Sequence, residues 1–324
     1  LIRIFFLRER LKSIGKVNKT SHRNKLEHVH IIGAGTMGAD IATLCASKDF
    51  KVTIQDTSEK QIAKAIAGAN KSIRRKIKNK FLAQKLVDNL IPDSKGYGIK
   101  HADVIIEAIT ENLEIKKELF SLIEKQSKKT TIIATNTSTI PLEEIFKDLK
   151  NPNRLIGIHF FNPVSKMPLV EIIKTDILSK TVENASYDFI NKIGKLPLPV
   201  KSYPGFFVNA VLGPYLHNSM RSIDGGYSPE QVDNAMKSWG MPMGPLELID
   251  LVGLDILLDA GKAMLKDGGP PNCLSNLVMK KHLGKKTNKG FYQWKNGRVV
   301  KNKVKLLDAH QKRNLAENLI QPLI

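Results

Sequence analysis

The stretch HVHIIGAGTMG, residues 28–38, decides the fold of this chain. Its apolar part, residues 29–32, is long enough for one buried strand. Three glycines follow in the spacing G-x-G-x-x-G: Gly33, Gly35 and Gly38. The apolar positions that come next recur at helical spacing. Strand, glycine turn and helix in this order are typical of a dinucleotide-binding site.

Each glycine has a separate physical task in such a site. Gly33 allows the tight turn out of the strand. Gly35 lets the backbone approach a pyrophosphate, because a Cβ atom there would collide with it, and Gly38 lets the helix pack close to the strand. The free N–H groups and the positive dipole end of the helix then face the phosphates.

A carboxylate completes the pattern. A second predicted strand, residues 51–55, leads into Asp56, which lies 18 residues after Gly38. This is close to the spacing of about 20 at which an acid binds a ribose 2′-hydroxyl. A carboxylate there would repel a 2′-phosphate, so we predict NAD and not NADP as the cofactor. The predicted cofactor turn comprises Gly33, Gly35, Met37 and Gly38, together with Asp56.

Composition sets broad limits on the function. The chain has 324 residues, enough for two domains, with 42% hydrophobic and 25% charged residues. No apolar run reaches the roughly 18 residues of a membrane span. The two cysteines, Cys45 and Cys273, cannot form a disulfide framework and suit a reducing cytoplasm. No metal-ligand spacing is present.

The formal net charge of +20 allows three interpretations. It could serve nucleic acid, or an acidic ligand such as coenzyme A, or it could solvate the surface. The lysines are scattered and are not interleaved with aromatic residues. This distribution favours a solvated surface, and we predict no nucleic-acid partner and no membrane insertion.

The first 20 residues precede the predicted nucleotide domain and mix apolar with basic residues. They could form a mitochondrial transit peptide, a membrane-surface helix or a helix that packs on the fold. Glu9 argues against transit, since such peptides contain few acids. We expect packing against the protein itself or a partner domain.

Further strand and helix signals follow along the nucleotide domain. Residues 59–91 are predicted to form two helices with a basic face, which either faces solvent or attracts the phosphates of an acyl-CoA. The strand 104–106 ends at Glu107, and the strand 131–134 is followed by the polar run 136–139, NTST. Ligands bind outside the carboxyl ends of such strands. The basic face consists of Lys71, Arg74, Arg75, Lys76, Lys78 and Lys80.

The character of the sequence changes at Pro204 and Gly205, where β-branched runs give way to helix signals. Helices are predicted over residues 207–224, 229–239 and 245–264, and a lysine-rich loop leads into an aromatic, strand-like end at 291–294. The predicted fold class is therefore α/β: an N-terminal Rossmann-like NAD-binding domain with a C-terminal all-helical domain.

One histidine is the best candidate for the proton-transfer group that an NAD enzyme needs. Of the eight histidines, His159 ends a predicted strand of the nucleotide domain. A neutral imidazole is suited to accept a proton near pH 7. Glu171, 12 residues later on the following strand, could orient the ring through its other nitrogen. The alternative is a core histidine satisfied by the backbone.

With these residues in view, the chain resembles the L-3-hydroxyacyl-CoA dehydrogenase family. The motifs occur in the family's order: GAGTMG (33–38), ATNTSTIP (134–141), HFFNPVSKMPLVEII (159–173), PGFFVN (204–209), GMPMGPLELIDLVGLD (240–255) and GKKTNKGFY (284–292). The resemblance covers nearly the whole chain. It implies oxidation of (S)-3-hydroxyacyl-CoA to 3-oxoacyl-CoA with NAD.

The resemblance also implies roles for individual residues. His159 corresponds to the family's base and Glu171 to its orienting partner. Ser138 corresponds to a residue near both the substrate and the nicotinamide, and Asn209 to one that helps to hold the developing oxyanion or its surroundings. The remaining implied cofactor contacts are Glu111, Lys116 and Asn162.

Within the family, the chain is most similar to the dehydrogenase portion of multifunctional fatty acid β-oxidation proteins of the alpha-subunit type. We therefore expect a linker-like helical segment (1–27), the NAD-binding domain (28–203), a helical substrate and dimerisation domain (204–310) and the start of a second helical repeat (311–324). Because the chain begins with Leu1, we expect either an unusual start codon or a piece of something longer. Expected partners are a second copy of the chain, or hydratase- and thiolase-type β-oxidation subunits.

The chain departs from the family pattern at two positions. Ala210 stands where the family often has Arg, which puts a local ion pair in doubt. Asn79 stands where single-domain relatives have a lysine that contacts coenzyme A, a role that Lys78 and Lys80 could take over.

Two other functions stay open from the sequence. One is an NAD-dependent dehydrogenase of a hydroxy acid without coenzyme A, and the other is a non-catalytic fragment or partner subunit of a split complex. The basic helices favour an acyl-CoA substrate. The presence of every catalytic motif argues against a fragment that lost its activity long ago.

Overall fold

The structure, a computed structural model, describes residues 2–14, 26–264 and 269–321. It consists of two compact units, Leu1–Phe206 and Phe207–Ile324. The N-terminal segment forms helix α1 (Ile2–Ser13). The remainder of the predicted N-terminal segment, residues 15–25, and the last residues of the predicted second repeat, 322–324, lie outside the described residues.

A sheet of eight strands forms the frame of the first unit. Its order is β3-β2-β1-β4-β5-β6-β7-β8; the first six strands run parallel, β7 is antiparallel to β6, and β8 is parallel to β7. The strands are β1 (His28–Ile32), β2 (Lys51–Gln55), β3 (Leu90–Pro92), β4 (Val104–Glu107), β5 (Ile132–Thr135), β6 (Leu155–Phe160), β7 (Leu169–Lys174) and β8 (Leu196–Lys201).

Helices cover this sheet, as parallel sheets require. They are α2 (Thr36–Ala46), α3 (Glu59–Lys76), α4 (Lys80–Asp88), α5 (Leu113–Gln126), α6 (Leu142–Phe146) and α7 (Lys180–Lys192). Every residue of β1, β4, β5 and β6 is buried, so these strands do not alternate between buried and exposed positions. The doubly wound sheet confirms the predicted Rossmann-like class of this unit.

Helix α1 lies against β8 at the edge of this sheet. At its end the side-chain amide of Asn191 donates a hydrogen bond to the carbonyl oxygen of Ile14 at 2.7 Å, and Ile14 packs against the core of the same unit. Within the described residues, no helix has the length and apolar character that crossing a membrane requires.

The second unit is helical, as predicted. Its helices are α8 (Val208–Asp224), α9 (Pro229–Trp239), α10 (Pro245–Val252), α11 (Leu254–Met264), α12 (Asn272–Met279) and α13 (Ala309–Ile320), and a hairpin follows α12 with strands β9 (Gln293–Lys295) and β10 (Arg298–Val300). Helix α13 packs on α9 and α8, and its Leu315, Ala316 and Leu319 are buried in the same core as theirs.

Two sequence predictions differ from the observed elements. The single helix predicted over 245–264 is two helices, because Gly253 adopts φ +107°, a left-handed value that ends α10. The short strand β3 follows directly after the two basic helices and has no counterpart in the prediction. It has only three residues and ends at Pro92, so it shows no periodicity.

Candidate active site

The glycine turn connects β1 to α2 and lies next to β4 in the sheet. Gly33 has φ +103°, and a Cβ atom on it would lie 2.5 Å from the carbonyl oxygen of Ala108. A Cβ atom on Gly38 would overlap the carbonyl oxygen of Gly33. Both residues are therefore required by the protein's own backbone, since no side chain fits in these positions.

Gly35 differs from the other two glycines. It is exposed, its φ is −65°, and no protein atom lies within 4 Å of where its Cβ would be. Gly35 also precedes the first turn of α2 at the N-cap position, and no side chain caps that turn. The open space at Gly35 and the uncapped N–H groups fit a pyrophosphate, which matches the needs of a dinucleotide at this turn.

Asp56 lies at the carboxyl end of β2, beside the glycine turn. Its carboxylate accepts a hydrogen bond from the backbone N–H of Ala34 at 2.7 Å and one from the N–H of Ser58 at 2.9 Å. A carboxylate has about four acceptor positions, so two remain for the hydroxyls of a ribose. The backbone bonds hold the carboxylate in place beside the turn. This fits the predicted role of Asp56.

The predicted dyad is formed by the antiparallel pair β6 and β7. His159 and Glu171 are directly opposite each other in the register of the two strands. Nδ1 of His159 lies 2.8 Å from Oε2 of Glu171, with the imidazole 6% exposed and the carboxylate fully buried. A carboxylate at Nδ1 accepts that N–H. The arrangement leaves Nε2 of the ring as a proton acceptor.

Aromatic rings surround the imidazole. The ring centroid of His159 is 4.6 Å from that of Phe161 and 5.8 Å from that of Phe206. The side-chain oxygen of Asn136 accepts a hydrogen bond from the N–H of Phe160 at 2.9 Å, which ties the end of β6 to the loop after β5. These contacts fix the position of the ring in the sheet.

The loop Asn136–Thr139 is ordered by one carboxylate. Oε1 of Glu111 accepts hydrogen bonds from the hydroxyl of Thr137 at 2.5 Å, the N–H of Ser138 at 3.0 Å and the N–H of Thr139 at 3.2 Å. Burial raises the pKa of Glu111, but the bonds from Thr137 and the charge of Lys116 outweigh it and hold the pKa below its usual value. Of the predicted cofactor residues, Glu111 thus lies beside Ser138.

Lys116, another predicted cofactor contact, is only 1% exposed. Its ammonium nitrogen lies 2.6 Å from Oε1 of Glu107 and 3.5 Å from Oε2 of Glu111. Sequence reasoning placed Glu107 at the end of a strand but gave it no role. A carboxylate that directly follows the apolar run 104–106 was the available signal.

Asn162 lies on the loop between β6 and β7 and is exposed. The buried Lys195 holds this loop, since its ammonium group donates to the carbonyl oxygens of Val164 and Met167 at 2.5 and 2.6 Å. Burial and the charges of Lys76 and Lys48 lower the pKa of Lys195 from its usual value. The sequence did not predict these two contacts, because Lys195 lies 31 and 28 positions from its partners and bonds to their backbone carbonyls, which carry no side-chain signal.

Asn209 belongs to the second unit, where it is the second residue of α8 and is half-buried. The first unit therefore contains the glycine turn, Asp56, Glu111, Lys116, Ser138, His159, Asn162 and Glu171, and Asn209 lies at the start of the helical unit.

The basic face of α3 and α4 is exposed throughout. Asn79 has a structural task here: its side-chain oxygen accepts the N–H of Leu82 at 3.0 Å and caps α4. Lys78 and Lys80 flank it and are both exposed. Among the described residues, no group of three or more His, Cys, Asp or Glu side chains could hold a metal ion.

The site elements of the first unit share one edge of the sheet. The glycine turn, Asp56, Glu111 and the 136–139 loop follow the carboxyl ends of β1, β2, β4 and β5, and the His159–Glu171 pair lies at the corresponding end of β6. This arrangement defines the class of protein as an NAD-dependent dehydrogenase.

Comparisons with known proteins are specific. Residues 28–203 match the family model "3-hydroxyacyl-CoA dehydrogenase, NAD binding domain", and residues 205–294 match that family's C-terminal domain. The mitochondrial hydroxyacyl-coenzyme A dehydrogenase of Rattus norvegicus is 39% identical over 288 residues, which cover 83% of this chain and 92% of the relative. The chain belongs to the 3-hydroxyacyl-CoA dehydrogenase family, and NAD is its cofactor.

Two further relatives differ in length from this chain. The fatty acid oxidation complex subunit alpha of Shewanella loihica is 32% identical over 94% of this chain, which spans 44% of that protein. The crystal structure of 3-hydroxybutyryl-CoA dehydrogenase from Escherichia coli superposes with a TM-score of 0.79 at 32% identity. The superposition covers 88% of this chain and 63% of the chain of the Escherichia coli enzyme.

Proposed function

We propose that this protein oxidises (S)-3-hydroxyacyl-CoA to 3-oxoacyl-CoA in fatty acid β-oxidation, with His159 as the general base and Glu171 as its orienting partner. The observation that carries the proposal is the 2.8 Å contact between Nδ1 of His159 and the buried carboxylate of Glu171. Family membership supplies the reaction class.

In this proposal the proton follows a defined route. Glu171 accepts the Nδ1–H of the ring, so Nε2 carries the lone pair that takes the proton from the substrate hydroxyl. The C3–H bond breaks as the C3–O bond becomes a carbonyl, and bound NAD supplies the hydride acceptor. The charge that forms on the imidazole is balanced by Glu171, which is already in contact with the ring.

Other residues of the chain hold the reactants. We assign Ser138, fixed by Glu111, to the substrate oxygen and the nicotinamide, and Asn209 to the developing oxyanion or its surroundings, as the family resemblance implies. Glu111, Lys116 and Asn162 complete the cofactor site with the glycine turn and Asp56. The exposed basic face of α3 and α4 supports a coenzyme A substrate, because its cations would attract the ligand's phosphates.

The experiment that tests this function compares substrates in one assay. We expect NADH formation at 340 nm with 3-hydroxybutyryl-CoA and with a longer 3-hydroxyacyl-CoA, and little with free 3-hydroxybutyrate. Turnover of the free acid at a rate equal to that of the thioester would contradict the acyl-CoA assignment. It would favour a dehydrogenase of simple hydroxy acids.

We further infer that the enzyme acts in the cytoplasm and in an assembly. The support for assembly is the resemblance to fatty acid oxidation complex alpha subunits, and the expected form is a homodimer or a complex with hydratase- or thiolase-type subunits. Light scattering on the pure protein, alone and with such subunits, tests this. A fully active monomer at micromolar concentration would contradict it.

A further inference from the structure

A closed ring of polar contacts joins β4, α5 and β5 beneath the candidate active site. Lys116 lies 2.6 Å from Oε1 of Glu107 and 3.5 Å from Oε2 of Glu111. The hydroxyl of Thr137 donates to Oε1 of Glu111 at 2.5 Å, and the N–H of Thr137 donates to Oγ1 of Thr135 at 3.2 Å. Thr135 closes the ring by donating to Oε2 of Glu107 at 2.7 Å.

Glu107 is the buried anchor of this ring. Its side chain is fully buried, and that of Lys116 is 1% exposed. Burying two charges is expensive, and an apolar pair of similar volume often stabilises a fold as well or better. Both oxygens of Glu107 have partners: Oε1 contacts Lys116 and also accepts the N–H of Ile109 at 2.8 Å, and Oε2 accepts from Thr135. Each of its three partners belongs to a segment that approaches the cofactor site.

The ring transmits the position of Glu107 to Ser138. Glu111 holds the N–H of Ser138 at 3.0 Å, and Lys116 holds Glu111 from its other oxygen. Glu107 in turn holds Lys116 through their ion pair. Glu107 also holds Thr135, which precedes the loop that carries Ser138. Any shift of Glu107 therefore reaches Ser138 by two routes, one through Lys116 and one through Thr135.

We propose that Glu107 is a positioning residue of the dehydrogenase, which sets the relative placement of Glu111 and Ser138 through Lys116 and Thr135. The inference rests on the proposed function of this site. Glu107 itself touches neither cofactor nor substrate, because it has no exposed surface. A misplacement of about 1 Å in such a supporting group can reduce a rate about 100-fold.

The first test uses Glu107→Gln, which keeps the shape and removes the charge. We expect kcat for 3-hydroxybutyryl-CoA to fall about ten-fold or more, and the Kd for NADH, measured by fluorescence titration without substrate, to rise. The matched control is Glu183→Gln. Glu183 is a buried carboxylate of the same unit, 2.9 Å from Lys174 and 2.8 Å from Lys180, but it lies on α7 and outside the ring.

Both variants should lower Tm, because each removes the charge of a buried carboxylate that is paired with lysine. Only Glu107→Gln should change kcat and the NADH Kd. If Glu107→Gln lowers Tm but leaves kcat and the NADH Kd as in the Glu183→Gln protein, Glu107 has a purely structural role and the proposal is overturned.

A second pair of variants tests the route through Thr135. Thr135→Val has the same shape but cannot hydrogen-bond to Glu107 or Thr137, whereas Thr135→Ser keeps the hydroxyl. We expect a lower kcat in Thr135→Val and near-native values in Thr135→Ser. Equal kinetics in the two variants would contradict the ring. If Glu107→Gln does not fold, this pair decides the question alone.

The binding measurement separates this inference from the proposed function. If the native protein does not oxidise 3-hydroxyacyl-CoA, the proposed function fails. The NADH Kd of Glu107→Gln and Thr135→Val then still tests whether Glu107 has a positioning role. A Kd higher than that of the native protein supports this role, and an unchanged Kd overturns it.

Discussion

His159 and Glu171 face each other across the antiparallel strands β6 and β7, with Nδ1 of the ring 2.8 Å from the carboxylate. Antiparallel pairing places directly opposite side chains on the same face of the sheet. Residues 161–168 connect the two strands, so two side chains that are 12 positions apart in the chain are in direct contact. The geometry of the dyad is a property of the sheet register and not of a flexible loop.

Replacement of the imidazole tests its role as base. His159→Ala should reduce kcat by about 10²–10⁴, the range expected for loss of a general base. The Kd for NADH should stay near native, because His159 lies at β6 and not at the glycine turn. Stopped-flow measurement of NADH formation and a fluorescence titration check the two parts. Near-normal turnover would remove His159 from the mechanism.

Glu171→Gln tests the orienting partner separately. A neutral amide can still accept a hydrogen bond from Nδ1 but cannot balance the charge on the ring, so kcat should fall more than the affinity for NADH. The pH dependence of kcat should also change. The measurement is a full pH–rate profile of both proteins, and an unchanged profile would break the proposed pairing.

Two glycines of the turn should respond in opposite ways to the same substitution. Gly33→Ala should lower Tm strongly, since φ is +103° and the new Cβ would meet the Ala108 carbonyl oxygen at 2.5 Å. Gly35→Ala should leave Tm unchanged, because φ is −65° and the space is open. It should instead weaken NADH binding. Calorimetry and fluorescence titration on both variants check this, and native NADH affinity in Gly35→Ala would place the pyrophosphate elsewhere.

Asp56 should determine the choice between the two nicotinamide cofactors. The native protein should strongly prefer NAD over NADP, and Asp56→Ser should narrow that preference. The variant should also lose about 1–3 kcal/mol of stability, since the N–H groups of Ala34 and Ser58 lose their acceptor. Values of kcat/KM with each cofactor provide the test. Equal values in the native protein would refute the assignment.

Much of the fold could be predicted because its signals are local. The run 28–38, the acid at Asp56 and the polar residues after β5 each identify an element without knowledge of the rest. Gly253 shows the limit of this approach: the apolar pattern continues through it, and only its φ of +107° ends the helix. The spacing of apolar residues in the sequence does not show that a backbone φ angle is positive.

The contact between His159 and Glu171 could be predicted from the sequence, but most other contacts of the candidate site could not. His159 and Glu171 could be paired because they lie on consecutive strands. Glu107 could not be assigned a partner, since Lys116 and Thr135 reach it from a helix and a strand that only the folded sheet brings together. Lys195 is a similar case, because its partners are loop carbonyls without a side-chain signal.

Two buried histidines should make the stability of the first unit depend on pH in the acid range. His28 and His30 lie on β1, and Oγ1 of Thr53 lies 2.9 Å from Nε2 of His28 and 2.8 Å from Nδ1 of His30. Nε2 of His30 lies 3.0 Å from the side-chain oxygen of Gln55. Burial, with the charges of Lys51 and His30, lowers the pKa of His28 to about 4. Burial also lowers the pKa of His30, against the opposing carboxylate of Asp93.

Both rings are therefore neutral in the folded protein at pH values where the unfolded chain binds protons. Since the unfolded state holds more protons below pH 6.5, the free energy of unfolding should fall as the pH drops from about 6.5 to about 4. Each histidine contributes at most about 1.4 kcal/mol per pH unit. Calorimetry between pH 7 and pH 4.5 measures this, and the transition that NADH moves upward belongs to the first unit. His28→Gln should flatten the dependence, whereas the exposed His101→Gln should not. Identical slopes in the two variants would show that carboxylates alone cause the acid unfolding.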